Sequence, residues 1–475
     1  MFRATKIGAT LGPASATAEV VGQMVRAGLN FARLNFSHGT LESHHALAAL
    51  LRQLAHEQGE PLALVVDVRG GKIRLGLLPP AGVTVNTGDI ITFNTAAVDY
   101  QDGEIPLDWP GLPGQLKAGE RILLDDGRVE VRVSRLTPER IFAEVSEGGT
   151  LASRKGLNFP DSALKLPALQ PSDEAALRFA VAVQAEYVAL SFITSAREVE
   201  AARQTLRRLG AGQQELPALM AKIERGEAVR NIEEIVAAAD AIMVARGDLG
   251  LELPEEQVPL LQKKLIAVAR AAGKPVVVAT QLLDSMQLHR RPTRAEVSDV
   301  ANAVIDHSDA LLLTNETATG AYPAEAVATM AEIITTTEAS PYDDTVLSTV
   351  PKTNVSTEKA VSELSRLLAE EVGAKLILAA SISGETGRLI SQVRPPLPIL
   401  VATETEHVAR QLNLSWGVKS FVILPCASIE ELISRSLLYI KQHQLAAVGD
   451  KMIIVAGEPV GQAGNVNLVE VREIR

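Results

Sequence analysis

Three ionisable residues lie close together in residues 220–250, MAKIERGEAVRNIEEIVAAADAIMVARGDLG. Lys222 and Glu224 stand two apart at the end of an apolar run, 219–223, so in an extended chain they point to the same side. Asp248 follows a second apolar run, 241–245, and Gly247 presents bare backbone beside it. The set is one ammonium, two carboxylates and exposed amides at adjoining strand ends. Two carboxylates with few other ligands suit Mg²⁺ (or Mn²⁺), which shares its remaining positions with water and an anionic substrate. Lys222 would then face charge that develops on the substrate. A plain surface ion pair between Lys222 and Glu224 explains the same spacing, and such pairs contribute little. The rest of the chain decides between the two.

Positioning these groups needs strands that end together. Apolar runs at 219–223 and 241–245 read as buried parallel strands, with an amphipathic helix over 228–239 between them. The same alternation starts at the N-terminus: strands at 4–11, 31–36 and 62–68, helices at 18–27 and 42–58. It resumes with a helix at 172–183, capped by Ser172, and strands at 187–192, 217–223, 241–245, 275–279 and 310–313. Eight strand–helix units in about 250 residues have the size of a (β/α)8 TIM barrel, whose chemistry sits at the C-terminal strand ends. Arg33, Asn35, Asp67, Lys222, Glu224, Asp248, Thr280 and Glu316 all fall there, which favours a site over a surface pair.

Between the third and fourth strands the rhythm breaks. Residues 73–160 carry short alternating runs and Gly/Pro turns, as in GERILLDDGRVEVRVSRL, and read as an inserted small all-β barrel domain. Beyond residues 338–357, a linker, a further α/β alternation predicts strands at 375–380, 399–402, 419–424, 451–456 and 467–474 in an open sheet. The predicted organisation is a catalytic barrel over 1–70 and 164–338, a β-domain lid over 71–163, a linker over 339–356 and a C-terminal regulatory and oligomerisation domain over 357–475.

Smaller motifs carry weaker signals. In RLNFSHG, 33–39, alternation places Arg33, Asn35 and Ser37 on one side, and a guanidinium can grip a phosphate through two bonds. Arg74 could add a second grip. Asp125-Asp126-Gly127 reads as a hairpin turn. Arg154-Lys155-Gly156 is a solvated basic pair unless the insert closes over the barrel mouth and excludes water. Thr293–Glu296 reads as a capped helix start, and Glu316 as either a helix start or a support for the site. Ser381-Ile382-Ser383-Gly384-Glu385-Thr386-Gly387-Arg388 opens a helix, where hydroxyls and free N–H groups make a phosphate cradle or simply a good cap.

Composition narrows the classes. The 475 residues are 47% hydrophobic and carry a net charge of −11, which argues against a nucleic-acid surface. A single cysteine, Cys426, excludes an intramolecular disulfide and a cysteine-based zinc site, and is most simply a small buried residue. No apolar run approaches a membrane span, and MFRATKIGATLGP lacks the layout of a signal peptide, so a cytoplasmic protein without a membrane partner is expected.

With these residues placed, the chain resembles the pyruvate kinase family. The resemblance rests on TKIGATLGPAS (5–15), ARLNFSHG (32–39), DVRGGKIR (67–74), DDG (125–127), RKGLNFP (154–160), AKIERGEAV (221–229), IMVARGDLG (242–250), VATQLLDSM (278–286), RPTRAEVSDVANAV (291–304) and TNETATGAYP (314–323), all in family order. It implies phosphoryl transfer from phosphoenolpyruvate to ADP, giving pyruvate and ATP. By the same resemblance Glu224 and Asp248 hold the divalent metal. Lys222 stabilises the transferring phosphoryl group and the enolate. Gly247 and Asp248 amides with Thr280 bind the carboxylate, and Thr280 lies where the enolate is protonated. Arg33 and Arg74 meet phosphates, and Asn35, His38 and Lys155 contribute to the nucleotide site. A homotetramer is implied as well.

Two departures from the family pattern stand out. Many members hold K⁺ with an Asn, a Ser, an Asp and a Thr. Asn35, Ser37 and Asp67 match, but Val68 replaces the Thr, and Lys72 stands where those members carry Glu. A built-in ammonium predicts activity without K⁺. The loop carrying Ser381, Ser383, Gly384, Thr386 and Arg388 resembles the family's sugar-phosphate effector loop, with Glu385 an unusual neighbour, and predicts a phosphorylated-metabolite effector. The rival readings are a metal-dependent aldolase or lyase acting on pyruvate or phosphoenolpyruvate, and a non-catalytic metabolite sensor.

Overall fold

The structure, a computed structural model, describes residues 2–343, 356–457 and 466–475. Eight short strands rich in Ala, Val and Leu, buried on both faces, suit a closed parallel sheet covered by helices. They form one: Lys6–Thr10, Phe31–Asn35, Ala63–Val68, Tyr187–Leu190, Ala218–Ile223, Ala241–Ala245, Val276–Ala279 and Ala310–Leu313 follow one another around a closed barrel. Inside, Phe31, Val65, Tyr187, Met220, Met243, Val277 and Leu312 fill the lumen. Leu414, from the C-terminal domain, plugs its lower end. The outward strand faces pack on the surrounding helices in a second, larger core.

The register explains the site. Asn35 sits level with Asp67, and Lys222 with Met243, so the polar residues rise together at the upper rim. The helix expected over 228–239 is interrupted: Gly226–Arg230 and Ile232–Ala238 are separate helices. Asn231 breaks them, its side chain donating to the Thr194 carbonyl at 2.8 Å. Ser172 is not the cap of the following helix. The turn Pro171–Asp173 precedes Glu174–Ala182, and Asp173 closes it by accepting from the Gln170 amide.

The insert is all-β. One core, from Ile73 to Leu164, joins an open six-stranded sheet to the two-stranded ribbon of Val83–Val85 and Gly149–Leu151. The Asp125–Gly127 turn is a hairpin between Arg121–Leu124 and Val129–Leu136, with positive φ at all three residues. Its tip rests on the barrel: a Cβ at Gly127 would lie 2.9 Å from Leu251.

The C-terminal sheet runs in the order Val418–Val422, Ile399–Thr403, Leu376–Ala380, Lys451–Ala456, Leu468–Glu473, with the last strand antiparallel. The strand expected to reach residue 424 stops at Val422. Cys426 is consequently half-exposed rather than buried, because Leu424 and Pro425 already lie in solvent. Of the predicted linker, residues 344–355 lie outside the described residues.

Candidate active site

Asp67 is the hub. It is 1% exposed at the top of Ala63–Val68. Arg33 Nε donates to its Oδ2 at 2.6 Å, and Lys222 Nζ lies 3.4 Å away. Burial alone would push this carboxyl up, but Arg33 and Lys222 outweigh it and hold it below the usual carboxylate range. Arg33 also donates to Thr10 Oγ1 at 3.0 Å, which fixes the guanidinium across the barrel mouth.

Lys222 and Glu224 do point the same way. Their ion pair spans 2.9 Å and is buried, so it is no surface pair. Lys222 Nζ also donates to Ser191 Oγ at 2.8 Å, and Ser191 donates onward to the Val68 carbonyl at 2.8 Å. Burial opposes the ammonium, yet Asp67 and Glu224 together raise its pKa. Glu224 takes the Phe192 amide at 2.7 Å. Its pKa is raised by burial and, against the pull of Lys222, by the neighbouring charge of Asp248. Two buried carboxylates that repel one another are an arrangement a divalent cation relieves. The donor set therefore fits a hard metal held by two protein carboxylates, with its other positions open to water and substrate oxygens.

Asp248 opens the helix Arg246–Glu252 directly above Ala241–Ala245. Lys72 Nζ lies 2.5 Å from its Oδ1, and Asn158 bonds it too, so both partners come from the insert side. Burial raises this carboxyl, and the Lys72 charge more than reverses that. Lys72 crosses to Asp248 over Gly156, where any Cβ would collide with Lys72 Cε at 2.4 Å. The same ammonium sits 5.4 Å from the centre of the Phe192 ring. The built-in cation thus pairs with a predicted metal ligand, not with Asn35, Ser37 or Asp67. Arg33 and Lys222 already answer Asp67, while Asn35 Oδ1 accepts from the Ser37 amide at 3.0 Å.

Thr280 and Gln281 both adopt positive φ, 73° and 53°, immediately after Val276–Ala279. Held strain of this kind clusters where geometry matters to function. It turns Thr280 Oγ1 to accept from the Gly247 amide at 2.8 Å while donating to the Ala279 carbonyl at 2.6 Å. Arg246 supports the turn by donating to the Thr280 carbonyl at 2.8 Å and pairing with Asp299 at 2.7 Å.

Towards the insert, His38 is held below its usual pKa by partial burial and then by Arg74, Arg33 and Arg69. Arg74 donates to the Arg154 carbonyl at 3.2 Å, and its Nε is buried without a partner among the described residues. With Arg69 and Arg154 it lines an open cavity of about 590 Å³. Lys155 pairs with Asp125 at 2.5 Å on the hairpin.

Three supports escaped the sequence reading: Ser191, Asn158 and Thr10. Ser191 follows the fourth strand among apolar neighbours, where a polar residue at a barrel strand's upper end is itself a signal. Glu316 is structural: it is 1% exposed and accepts from the Leu283 and Thr314 amides at 3.1 and 2.7 Å. Thr293 and Glu296 form the expected capping box. In the C-terminal loop, Ser381 and Ser383 accept from the amides of Thr386 and Glu385 at 3.2 and 3.4 Å, while Gly384 turns at φ 79°. Arg388 reaches back to the Ser383 carbonyl at 3.0 Å. That loop lies apart from the barrel-top cluster, in the other domain.

Residues 2–327 match the family model described as the pyruvate kinase barrel domain, and residues 359–472 match that of its alpha/beta domain. The chain is 38% identical to a pyruvate kinase of Mycobacterium tuberculosis, covering 100% of this chain and 99% of that protein. It is 39% identical to a pyruvate kinase of Agrobacterium vitis, covering 99% and 98%. Among solved structures, a pyruvate kinase from Cryptosporidium parvum superimposes with a TM-score of 0.90 at 32% identity, covering 100% of this chain and 96% of that one.

Proposed function

The chain belongs to the pyruvate kinase family of phosphotransferases, and from that premise we propose how its own residues carry phosphoryl transfer from phosphoenolpyruvate to ADP. The observation that carries the reading is the buried array Arg33–Asp67–Lys222–Glu224 facing Asp248 at the barrel mouth. Glu224 and Asp248 would hold the divalent metal, which when bound supplies positive charge to the phosphate and the enolate oxygen.

Arg33 binds the transferring phosphoryl group. Lys222, kept charged by two carboxylates, opposes the negative charge that builds on that group as the bond to the enol oxygen breaks. It also stabilises the enolate left behind. The attacking oxygen belongs to the terminal phosphate of ADP, held by Arg74, Lys155, Asn35 and His38. The substrate carboxylate takes the amides of Gly247 and Asp248 and the hydroxyl of Thr280. The Gly247 amide now donates to Thr280 Oγ1 and the Thr280 hydroxyl to the Ala279 carbonyl, so the two groups lie side by side and exchange these internal bonds for the carboxylate when it binds. Thr280 then passes a proton to the enolate carbon through water, since a lone hydroxyl is a poor acid. The insert acts as a lid: Lys72 and Asn158 reach Asp248, and the hairpin tip touches Leu251. Arg225 ties the lid's return, donating to the Leu164 carbonyl at 3.3 Å.

We also propose that K⁺ is not required, because the Lys72 ammonium brings a fixed cation to the same mouth. The loop of Ser381, Ser383, Gly384, Thr386 and Arg388 is proposed to receive a phosphorylated effector, and the assembly to be a cytoplasmic homotetramer; sedimentation tests the last point. The test of the function is pyruvate formation from phosphoenolpyruvate with Mg²⁺, with and without ADP. Strict ADP dependence is expected. Consumption of phosphoenolpyruvate without ADP would favour a lyase.

A further inference from the structure

Phe192 is held in an unusual conformation. It follows Tyr187–Leu190 and Ser191 at the upper rim of the barrel, with φ at 59°. Positive φ at a bulky residue is strained and persists only where the surroundings insist on it. The turn sends its amide to Glu224 Oε2 at 2.7 Å and leaves the centre of its ring 5.4 Å from Lys72 Nζ. One residue thus meets both Glu224 and the ammonium that pairs with Asp248.

Lys72 cannot keep its present place when a divalent cation takes Asp248. Its Nζ lies 2.5 Å from Asp248 Oδ1, and two cations crowded onto one carboxylate repel each other. The ammonium needs a second position. Beside it lies a cavity of about 20 Å³, lined by Lys72, Phe192, Asn158, Arg225 and Glu252 among others. Such a space admits one particle of about the size of water, and its walls suit a cation. The Phe192 ring offers a π face within the reach of cation–π attraction. Glu252 offers a carboxylate whose own cation, Arg225, stands off at 3.8 Å. Burial raises the Glu252 carboxyl in spite of Arg225, which marks it as short of positive charge. The path between the two positions is short, because Asn158 bonds both Asp248 and Glu252. Gly156, with no side chain, leaves the Lys72 stem free to slide.

We propose that Phe192 and Glu252 are positioning residues that receive the Lys72 ammonium when a divalent cation takes Asp248. This rests on the assignment of Glu224 and Asp248 as the metal's ligands. Lys72 is then a competitor for the metal position beforehand and a cation retained at the barrel mouth afterwards. Lys72, Gly156 and Asn158 lie on the insert side, whereas Phe192 and Glu252 belong to the barrel. The exchange therefore keeps the lid tied to the barrel in both positions.

The test is Mn²⁺ titration of the full-length protein, followed by electron paramagnetic resonance without substrates. Lys72→Met should tighten Mn²⁺ binding about tenfold or more, since a charged hydrogen bond to Asp248 no longer competes. Phe192→Leu should weaken it about threefold or more, and Glu252→Gln about tenfold. In the Lys72→Met background both losses should largely disappear, which a merely structural role would not produce. Glu252→Gln carries the same comparison if Phe192→Leu does not fold. Unchanged affinity in Phe192→Leu and Glu252→Gln, or equal losses with and without Lys72, would overturn the exchange. Mn²⁺ binding that survives Glu224→Gln undiminished would instead overturn the ligand assignment, and the exchange with it.

Discussion

The two ends of the barrel both bury charge, and they handle it differently. At the lower end, Glu186 accepts from the Leu64 amide at 2.6 Å, Arg410 at 2.6 Å and Arg52 at 2.9 Å. Asp309 accepts from the amides of Val276 and Trp416 at 3.0 and 3.1 Å and from Arg394 at 3.1 Å. Glu338 takes two further amides, of Ala4 and Thr5. Backbone amides cannot leave, and Arg410, Arg394 and Trp416 come from the C-terminal domain, so Glu186 and Asp309 fasten one domain to another, while Glu338 ties the first strand to the barrel's last helix. At the upper end Arg33 holds Asp67, and the other cations are the tips of Lys72 and Lys222, on flexible stems. Asp248 is answered by side chains of the insert, and Glu224 is left within repelling reach of Asp248. Buried acids satisfied by amides hold a fold together. Buried acids satisfied by ammonium groups and set against each other are available to a metal and a substrate.

The largest expected effect lies at the top. Lys222→Met should lower turnover by about a thousandfold or more, as removal of a preorganised charge stabiliser does. Mn²⁺ binding, followed by electron paramagnetic resonance, should largely persist. Near-normal turnover would remove Lys222 from the chemistry. Next comes the bottom. Glu186→Ala leaves Arg410 and Arg52 without their buried partner and should cost about 3 kcal/mol or more in urea unfolding, with kcat of the folded fraction unchanged. A kcat loss without a stability loss would erase the distinction between the two ends.

A smaller effect, about tenfold, is expected at Lys72. The Lys72 charge depresses the pKa of Asp248, so Lys72→Met raises it. Asp248 then protonates at higher pH, and the acid limb of kcat/KM moves upward. An unmoved limb would mean that the pair does not persist in the working enzyme. A last effect, spread over several pH units, concerns Lys6, buried where the barrel meets the C-terminal sheet and donating to the Val418 carbonyl at 2.6 Å. Burial first, then Arg3, lowers its pKa to about 7. Between that value and the ordinary lysine pKa the unfolded chain binds the extra proton, so stability rises with pH, by at most about 1.4 kcal/mol per unit. Lys6→Met should flatten that rise in a series of thermal melts.

The upper end was readable from sequence because its residues obey a rule of position. Lys222, Glu224, Asp248, Arg33 and Asp67 are polar residues at the ends of apolar runs, and period-two alternation assigns their direction. The lower end was not readable. Glu186 with Arg410 and Asp309 with Arg394 are joined by contacts across 224 and 85 positions of chain, which no local pattern encodes. The same limit explains the break at Asn231, set by a bond to distant Thr194. It also explains Lys72, whose residue type was informative but whose partner depended on the insert folding back over Gly156.

The most direct measurement is pyruvate formation from phosphoenolpyruvate and ADP with Mg²⁺, in potassium-free tetramethylammonium buffer and again with K⁺, for the unaltered protein and for Lys72→Glu. Full activity of the unaltered protein in both buffers, with Lys72→Glu active only with K⁺, is the expected result. Strong activation of the unaltered protein by K⁺ over the tetramethylammonium control would contradict the built-in cation. No pyruvate under any condition, with sugar phosphates present, would contradict the assignment of the barrel-top array to phosphoryl transfer.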